Sequence, residues 1–214
     1  MNSTRSITQQ LSEYIARIPS LYNMLPSARK ELLERIASKL GEKYSEEGTL
    51  KLLFICTHNS RRSHMAQIWA SVAAYHYSVA EVDTYSGGTE RTAFHSNAIA
   101  AFRRAGFLIE AEEGGDNPVC MVYFSEESPP VKAFSSRYDD PENPTSNFIA
   151  FMTCSDADEA CPVISGSAFR FSIPYEDPKL ADGTREEARV YDERCLQIAV
   201  EMFFLFQRIS ENIE

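Results

Sequence analysis

The 214-residue chain is poor in glycine and proline, with nine and ten respectively, which excludes collagen-like and low-complexity architectures. It has no run near the roughly 18 apolar residues of a membrane span. Its opening, MNSTRSITQQ, lacks the basic-then-apolar order of a secretory signal. A cytoplasmic protein without a membrane partner is therefore expected. Basic residues are outnumbered, 21 Lys and Arg against 31 Asp and Glu for a net charge of -10, which argues against a nucleic-acid backbone as the main partner. A small anion stays admissible, provided a local array of donors overcomes the field of the whole molecule. The five cysteines are an odd number, and without an export signal this favours reduced thiols over a static disulfide framework. With 43% hydrophobic and 24% charged residues, the chain reads as a soluble globular domain, alone or with an appendage.

Residues 1–50 hold seven Lys or Arg against six Glu and no Asp, whereas residues 51–214 hold fourteen basic against twenty-five acidic residues. The boundary is placed at 49/50, giving an N-terminal helical appendage (1–49) and an α/β body (50–214). Leu11, Tyr14, Ile15 and Ile18 fall at helical spacing before Pro19. Pro26 opens a second helix through Leu32, Leu33, Ile36 and Leu40 that is expected to fade between Gly41 and Gly48. Each apolar face needs a cover, either the body or a twin subunit, the latter giving a homodimer through these helices.

From Lys51, strand-like and helix-like stretches alternate, which predicts a doubly wound, four-stranded parallel sheet flanked by helices. Leu52–Ile55 is continuously apolar, as a central strand buried on both faces should be. Val82–Ser86, Phe148–Thr153 and Phe169–Ile173 supply the other strands. Met65, Ile68, Trp69, Val72 and His76 mark one helix, and Ile99, Phe102 and Ala105 another closed by Gly106. Ala188, Tyr191, Cys195, Ile198, Met202, Leu205 and Ile209 mark the last and longest. The stretch between Phe107 and Asn147 is too long for an ordinary connection; Val119, Met121 and Tyr123, then Val131, Ala133 and Phe134, flank Pro129 and Pro130 and suggest a β-hairpin, inserted at about Asn117 to Pro144, with Tyr138–Pro144 as a surface loop.

The informative segment is Cys56-Thr57-His58-Asn59-Ser60-Arg61-Arg62-Ser63, between the buried strand and the next helix. A cysteine, five residues and an arginine wrap a loop around a tetrahedral oxyanion, with backbone amides and the helix start directed at it. Arg62 can present its planar fork to two oxygens, Ser63 can donate to the sulfur, and Asn59 tolerates a left-handed turn. Cys56, with its thiol pKa lowered from about 8.5 to roughly 3.5–7.5, is expected to be a thiolate nucleophile. The alternative is a buried strand-end cysteine with Arg62 as a solvated helix residue; the order of strand, cysteine, polar loop, Arg-Ser and helix speaks against it. The side chains of His58 and Arg61 are expected to face solvent.

This segment resembles the low-molecular-weight protein tyrosine phosphatase superfamily, and within it the thioredoxin-coupled arsenate reductases. Ser86-Gly87-Gly88-Thr89 is similar to the stretch ending the superfamily's second strand. Cys154 to Cys161, with the acidic filler Asp156, Asp158 and Glu159, is similar to the reductases' second and third cysteine segment, and Asp177-Pro178 to the loop supplying their general acid. The resemblance implies an oxyanion cradle of Thr57, His58, Asn59, Ser60, Arg61, Arg62 and Ser63 for arsenate, phosphate or sulfate. It further implies catalysis by Cys56, Arg62 and Asp177, a disulfide relay through Cys154 and Cys161, no metal or tightly bound cofactor, and thioredoxin or a similar dithiol as electron donor. The segment Ser155–Ala160 is expected to be mobile, Asp156 and Asp158 solvated, and Cys120 and Cys195 structural. Two alternatives stay open: a phosphatase acting on phosphotyrosine or small phosphate esters, and a non-catalytic oxyanion-sensing or assembly module.

Overall fold

The computed structural model describes residues 9–213. These form seven strands, β1 (Leu50–Cys56), β2 (Val82–Gly88), β3 (Leu108–Ala111), β4 (Cys120–Tyr123), β5 (Val131–Ala133), β6 (Phe148–Met152) and β7 (Ser167–Ser172). Six α-helices accompany them: α1 (Gln9–Arg17), α2 (Ser27–Glu47), α3 (Arg62–His76), α4 (Ser96–Ala105), α5 (Ser155–Ala160) and α6 (Glu187–Ile213). The main sheet runs β2-β1-β6-β7 with every pairing parallel. Successive connections leave β1 toward β2 on one side and fill β6 on the other. The crevice beyond the carboxyl end of β1 is thus a topological switch point, the usual ligand position in open α/β sheets. No described helix is long and apolar enough to cross a membrane.

Alternate residues of the buried strands serve two cores. Leu52, Phe54, Ile149 and Phe151 join the larger one with residues of α1 to α4 and α6, and Phe54 stacks on Phe151 at 5.0 Å. Leu53, Ile55, Phe148, Ala150 and Met152 form a smaller cluster with Ala157 of α5, Ile164, Cys56 and Cys154. One face carries the long helices, the other little more than α5.

The N-terminal helices bury their apolar faces within the same chain. Leu11, Ile18, Leu33, Ile36 and Leu40 belong to the larger core, and Tyr14 stacks on Trp69 at 5.4 Å. A buried charge completes the attachment. Glu201 of α6, 1% exposed, accepts from Arg29 Nε at 2.9 Å and from the Tyr175 hydroxyl at 2.8 Å. Burial beside Glu201 raises the Tyr175 pKa, which keeps the phenol proton on that bond.

Three expectations are corrected. First, α2 runs straight through Gly41 and stops only at the left-handed Gly48, φ +71°. Gly41 is a contact residue, since a Cβ there would stand 3.0 Å from Asn212 Cβ on α6. Second, the inserted hairpin is present as the antiparallel pair β4–β5, but it is extended by β3 into a three-stranded sheet, β3-β4-β5, with Cys120 and Val122 buried and Met121 and Tyr123 half-buried. Third, the return leg does not begin as a surface loop. Gly88 N donates to Ser136 O and Tyr138 N to Gly88 O, each 2.9 Å, so residues 136–138 lie parallel along the end of β2. Gly87 admits this strap, because a Cβ there would sit 2.4 Å from Tyr138 Cα.

Candidate active site

Between Cys56 at the end of β1 and Arg62 at the start of α3 the loop turns its carbonyls outward onto a collar. Cys56 O accepts from Thr89 N at 3.2 Å, Thr57 O from Glu90 N at 2.8 Å, and Ser60 O from His95 N at 2.9 Å. His58 O accepts from the hydroxyls of Thr92 at 2.8 Å and Ser135 at 3.1 Å. A trans peptide with its carbonyl outward directs the following N–H inward. Among the described residues, none of the backbone N–H groups from Thr57 to Arg62 is taken by a carbonyl or side chain. The loop therefore presents free donors at the start of a helix, the arrangement that binds tetrahedral anions. Gly88 lets the collar close: a Cβ there would lie 2.5 Å from Glu90 O and 2.8 Å from Asn59 N.

A directed chain of hydrogen bonds ends on the sulfur. Ser136 N donates to Asn59 Oδ1 at 2.8 Å, which fixes the Asn59 amide, and Asn59 Nδ2 donates to Ser63 Oγ at 2.9 Å. The Ser63 hydroxyl hydrogen is then free to point at Cys56 Sγ, 3.1 Å away. Asn59 adopts φ +43°, in the left-handed region that asparagine tolerates.

Beside the sulfur stand two arginines and one carboxylate. Arg62 Nη1 donates to Tyr175 O at 3.0 Å and Nη2 to Asp177 Oδ2 at 2.9 Å, while Arg61 Nε donates to Asp177 Oδ1 at 3.0 Å. Cys56, His58, Ser60, Arg61, Arg62 and Asp177 line one narrow cleft. The expectation of a solvent-facing Arg61 is overturned: its side chain is 7% exposed because Asp177 draws it inward. The His58 side chain is 37% exposed, beside Glu90.

On the other side of Cys56, Thr153 N donates to Ile55 O at 2.7 Å, bringing the end of β6 level with the end of β1. Cys154 Sγ lies 3.4 Å from Thr57 Oγ1 and accepts from Ala157 N at 3.4 Å. Cys161, half-buried after α5, packs with Tyr138 against the cluster containing Cys56 and Cys154. All five cysteines are free thiols. The segment 155–160 forms the short helix α5. Asp158 is not solvated: it pairs with Arg170 at 2.5 Å and accepts from Ser172 Oγ at 2.6 Å, tying α5 to β7.

Among curated proteins, the arsenate reductase of Bacillus licheniformis is 28% identical over 143 residues, covering 67% of this chain and 84% of that protein. That of Shouchella clausii is 29% identical over 162 residues, with 76% and 88% covered. The chain is thus similar in sequence to curated arsenate reductases over two thirds or more of its length. No protein-family model matches it. A low-molecular-weight protein tyrosine phosphatase from T. tengcongensis aligns with a TM-score of 0.49 at 17% identity, covering 74% of this chain and 99% of the other. A thioredoxin-dependent arsenate reductase from Corynebacterium glutamicum aligns with a TM-score of 0.39 at 17% identity, covering 89% and 94%.

In this chain the structure brings Cys56, Thr57, His58, Asn59, Ser60, Arg61, Arg62, Ser63, Asp177, Cys154 and Cys161 to one end of the sheet. Ser135 and Ser136 were not foreseen, and neither was Tyr175, whose carbonyl holds Arg62. Cys120 and Cys195 lie away from the site. Burial raises both thiols, Cys195 to about 12, and Cys195 Sγ accepts from Trp69 Nε1 at 3.2 Å.

His64, the residue after Ser63, is fully buried against the Phe94 ring at 4.4 Å, and neither ring nitrogen completes a hydrogen bond. Burial lowers its pKa to about 4, opposed in part by the carbonyls of Phe134 and Ser60. The unfolded chain binds this proton near pH 6.5, so the stability that His64 contributes is complete above that value and is lost as the pH falls toward 4. The expected loss is about 3 kcal/mol. Urea titrations across that range should show a steeper decline for the native protein than for His64→Phe; equal slopes would exclude the effect.

Proposed function

We propose that the chain is an arsenate reductase working through a nucleophilic cysteine and a three-cysteine disulfide relay. The observation carrying this reading is the meeting of three reduced thiols, Cys56, Cys154 and Cys161, on one small apolar cluster beneath an oxyanion loop. The homologues named as arsenate reductases support it.

Arsenate is held by the inward amides and the Arg62 fork, and the Cys56 thiolate attacks arsenic. One oxygen leaves as water, Asp177 supplying a proton, and a thiol-arsenate adduct remains. The Cys154 thiolate then attacks Cys56 Sγ. A sulfur–sulfur bond forms, the sulfur–arsenic pair passes to arsenic, and arsenite departs two electrons richer. Cys161 attacks Cys154 Sγ, releasing the Cys56 thiolate and leaving a Cys154–Cys161 disulfide nearer the surface for an external dithiol such as thioredoxin.

Phosphate is a near isostere of arsenate, so the cradle alone does not separate reductase from phosphatase. The test is to mix the fully reduced protein with arsenate, map the linked sulfurs, and follow arsenate-dependent oxidation of reduced thioredoxin. Linkage among Cys56, Cys154 and Cys161 with thioredoxin oxidation is expected. Hydrolysis of para-nitrophenyl phosphate without it would make the protein a phosphatase. Tight oxyanion binding without either reaction would make it a binding module.

A further inference from the structure

The two oxygens of Asp177 are held unequally. Oδ1 accepts from Arg61 Nε at 3.0 Å and from the Lys179 backbone N–H at 3.0 Å, whereas Oδ2 accepts from Arg62 Nη2 alone, at 2.9 Å. Arg62 is meanwhile fixed from the opposite side by Tyr175 O at 3.0 Å. The side chains of Arg61 and Arg62 are 7% and 8% exposed and that of Asp177 is 23% exposed, so both contacts are largely shielded from bulk water, where charge-assisted bonds hold better. The carboxylate occupies the Arg62 donor that an oxyanion needs, within the narrow cleft it lines with Cys56, His58, Ser60 and Arg61.

We propose that Asp177 is a swinging plug and that Arg61 is the positioning residue that makes the swing productive. An entering oxyanion displaces Oδ2 from Arg62 and takes over the fork. Oδ1 stays on Arg61 and Lys179 N–H, so the carboxyl group pivots about that oxygen and presents Oδ2 to the leaving oxygen of the substrate. Freed from Arg62, Oδ2 takes a proton from the entering dihydrogen oxyanion and returns it to the leaving oxygen. Arg61 touches neither sulfur nor anion in this scheme; it acts through Asp177. The assignment of Asp177 as acid rests on the proposed function, but its role as plug does not.

The two parts are tested separately. Protection of Cys56 from iodoacetamide by inorganic phosphate, read by mass spectrometry, gives an affinity without any turnover. Asp177→Asn should tighten phosphate about tenfold, because a neutral amide competes poorly for Arg62. Glu176→Gln removes an equal charge one residue away, from a side chain that is 89% exposed and paired with Arg194, and should leave the affinity unchanged. Equal responses of the two variants, or no tightening in Asp177→Asn, would overturn the plug. For positioning, Arg61→Gln should lower kcat about a hundredfold while KM moves less than about threefold, in whichever of the two reactions the protein catalyses. Arg61→Lys should restore part of it. In an Asp177→Asn background, Arg61→Gln should cost no further kcat; additive losses would show that Arg61 acts on the fold and not through Asp177. A wild-type protein inert in both reactions would refute the enzyme reading and leave the phosphate comparison standing.

Discussion

Arg62→Lys is expected to lower kcat/KM for arsenate, or for an aryl phosphate, by about a thousandfold, on the order of 4 kcal/mol of transition-state stabilisation. The reason is geometric rather than electrostatic, since the charge is conserved. The Arg62 guanidinium donates from Nη1 to Tyr175 O at 3.0 Å and from Nη2 toward Asp177 at 2.9 Å, so one rigid plane is anchored at one edge and works at the other. A lysine ammonium has no second edge. It satisfies the buried Tyr175 carbonyl and abandons the anion, or serves the anion and leaves that carbonyl unpaired, at about 1–3 kcal/mol. Steady-state kinetics beside a thermal melt separate the outcomes: a folded variant within tenfold of wild type would remove Arg62 as the clamp. The same exchange at Arg61 should be far milder, because Arg61 reaches Asp177 through a single nitrogen.

How much of this was legible in the sequence depends on the range of the interaction concerned. The continuous apolar run Leu52–Ile55 announces a strand buried on two faces, and the pairing of β1 with both β2 and β6 realises it. Cys56 to Ser63 is equally plain, because its chemistry is written in adjacent residues: Asn59, Ser63 and Cys56 form one hydrogen-bonded chain within eight positions. Arg61 was misjudged because its partner, Asp177, lies 116 residues away. Without that carboxylate an arginine at a helix start belongs in water. Ser135 and Ser136 were invisible for a related reason. They sit in a stretch with weak alternation, and only the fold shows that Gly87 and Gly88 have cleared space for them beside the loop.

Under the proposed relay, replacing Cys161 by serine should limit arsenate reduction to a single cycle. Burial decides this. Cys56 is 3% exposed and Cys154 fully buried, so a disulfide between them is sealed from any external dithiol, whereas Cys161 stands half-buried at the end of α5. A thiolate must approach a disulfide sulfur directly to exchange with it, and serine cannot make that attack. Cys161→Ser is therefore expected to release about one arsenite per protein molecule and then stop with Cys56 linked to Cys154, a loss of at least about a hundredfold in multiple turnover. Cys154→Ser should release none and hold arsenic on Cys56, because no sulfur is left in position to accept the bond. Hydrolysis of para-nitrophenyl phosphate, wherever present, needs only Cys56, Arg62 and Asp177 and should survive both changes. Counting arsenite in a burst experiment with excess reduced thioredoxin, followed by disulfide mapping of the stalled protein, reads all three outcomes together. Sustained turnover of Cys161→Ser would mean that the reductant reaches the buried pair by local opening of α5, and the third thiol would lose its place in the cycle.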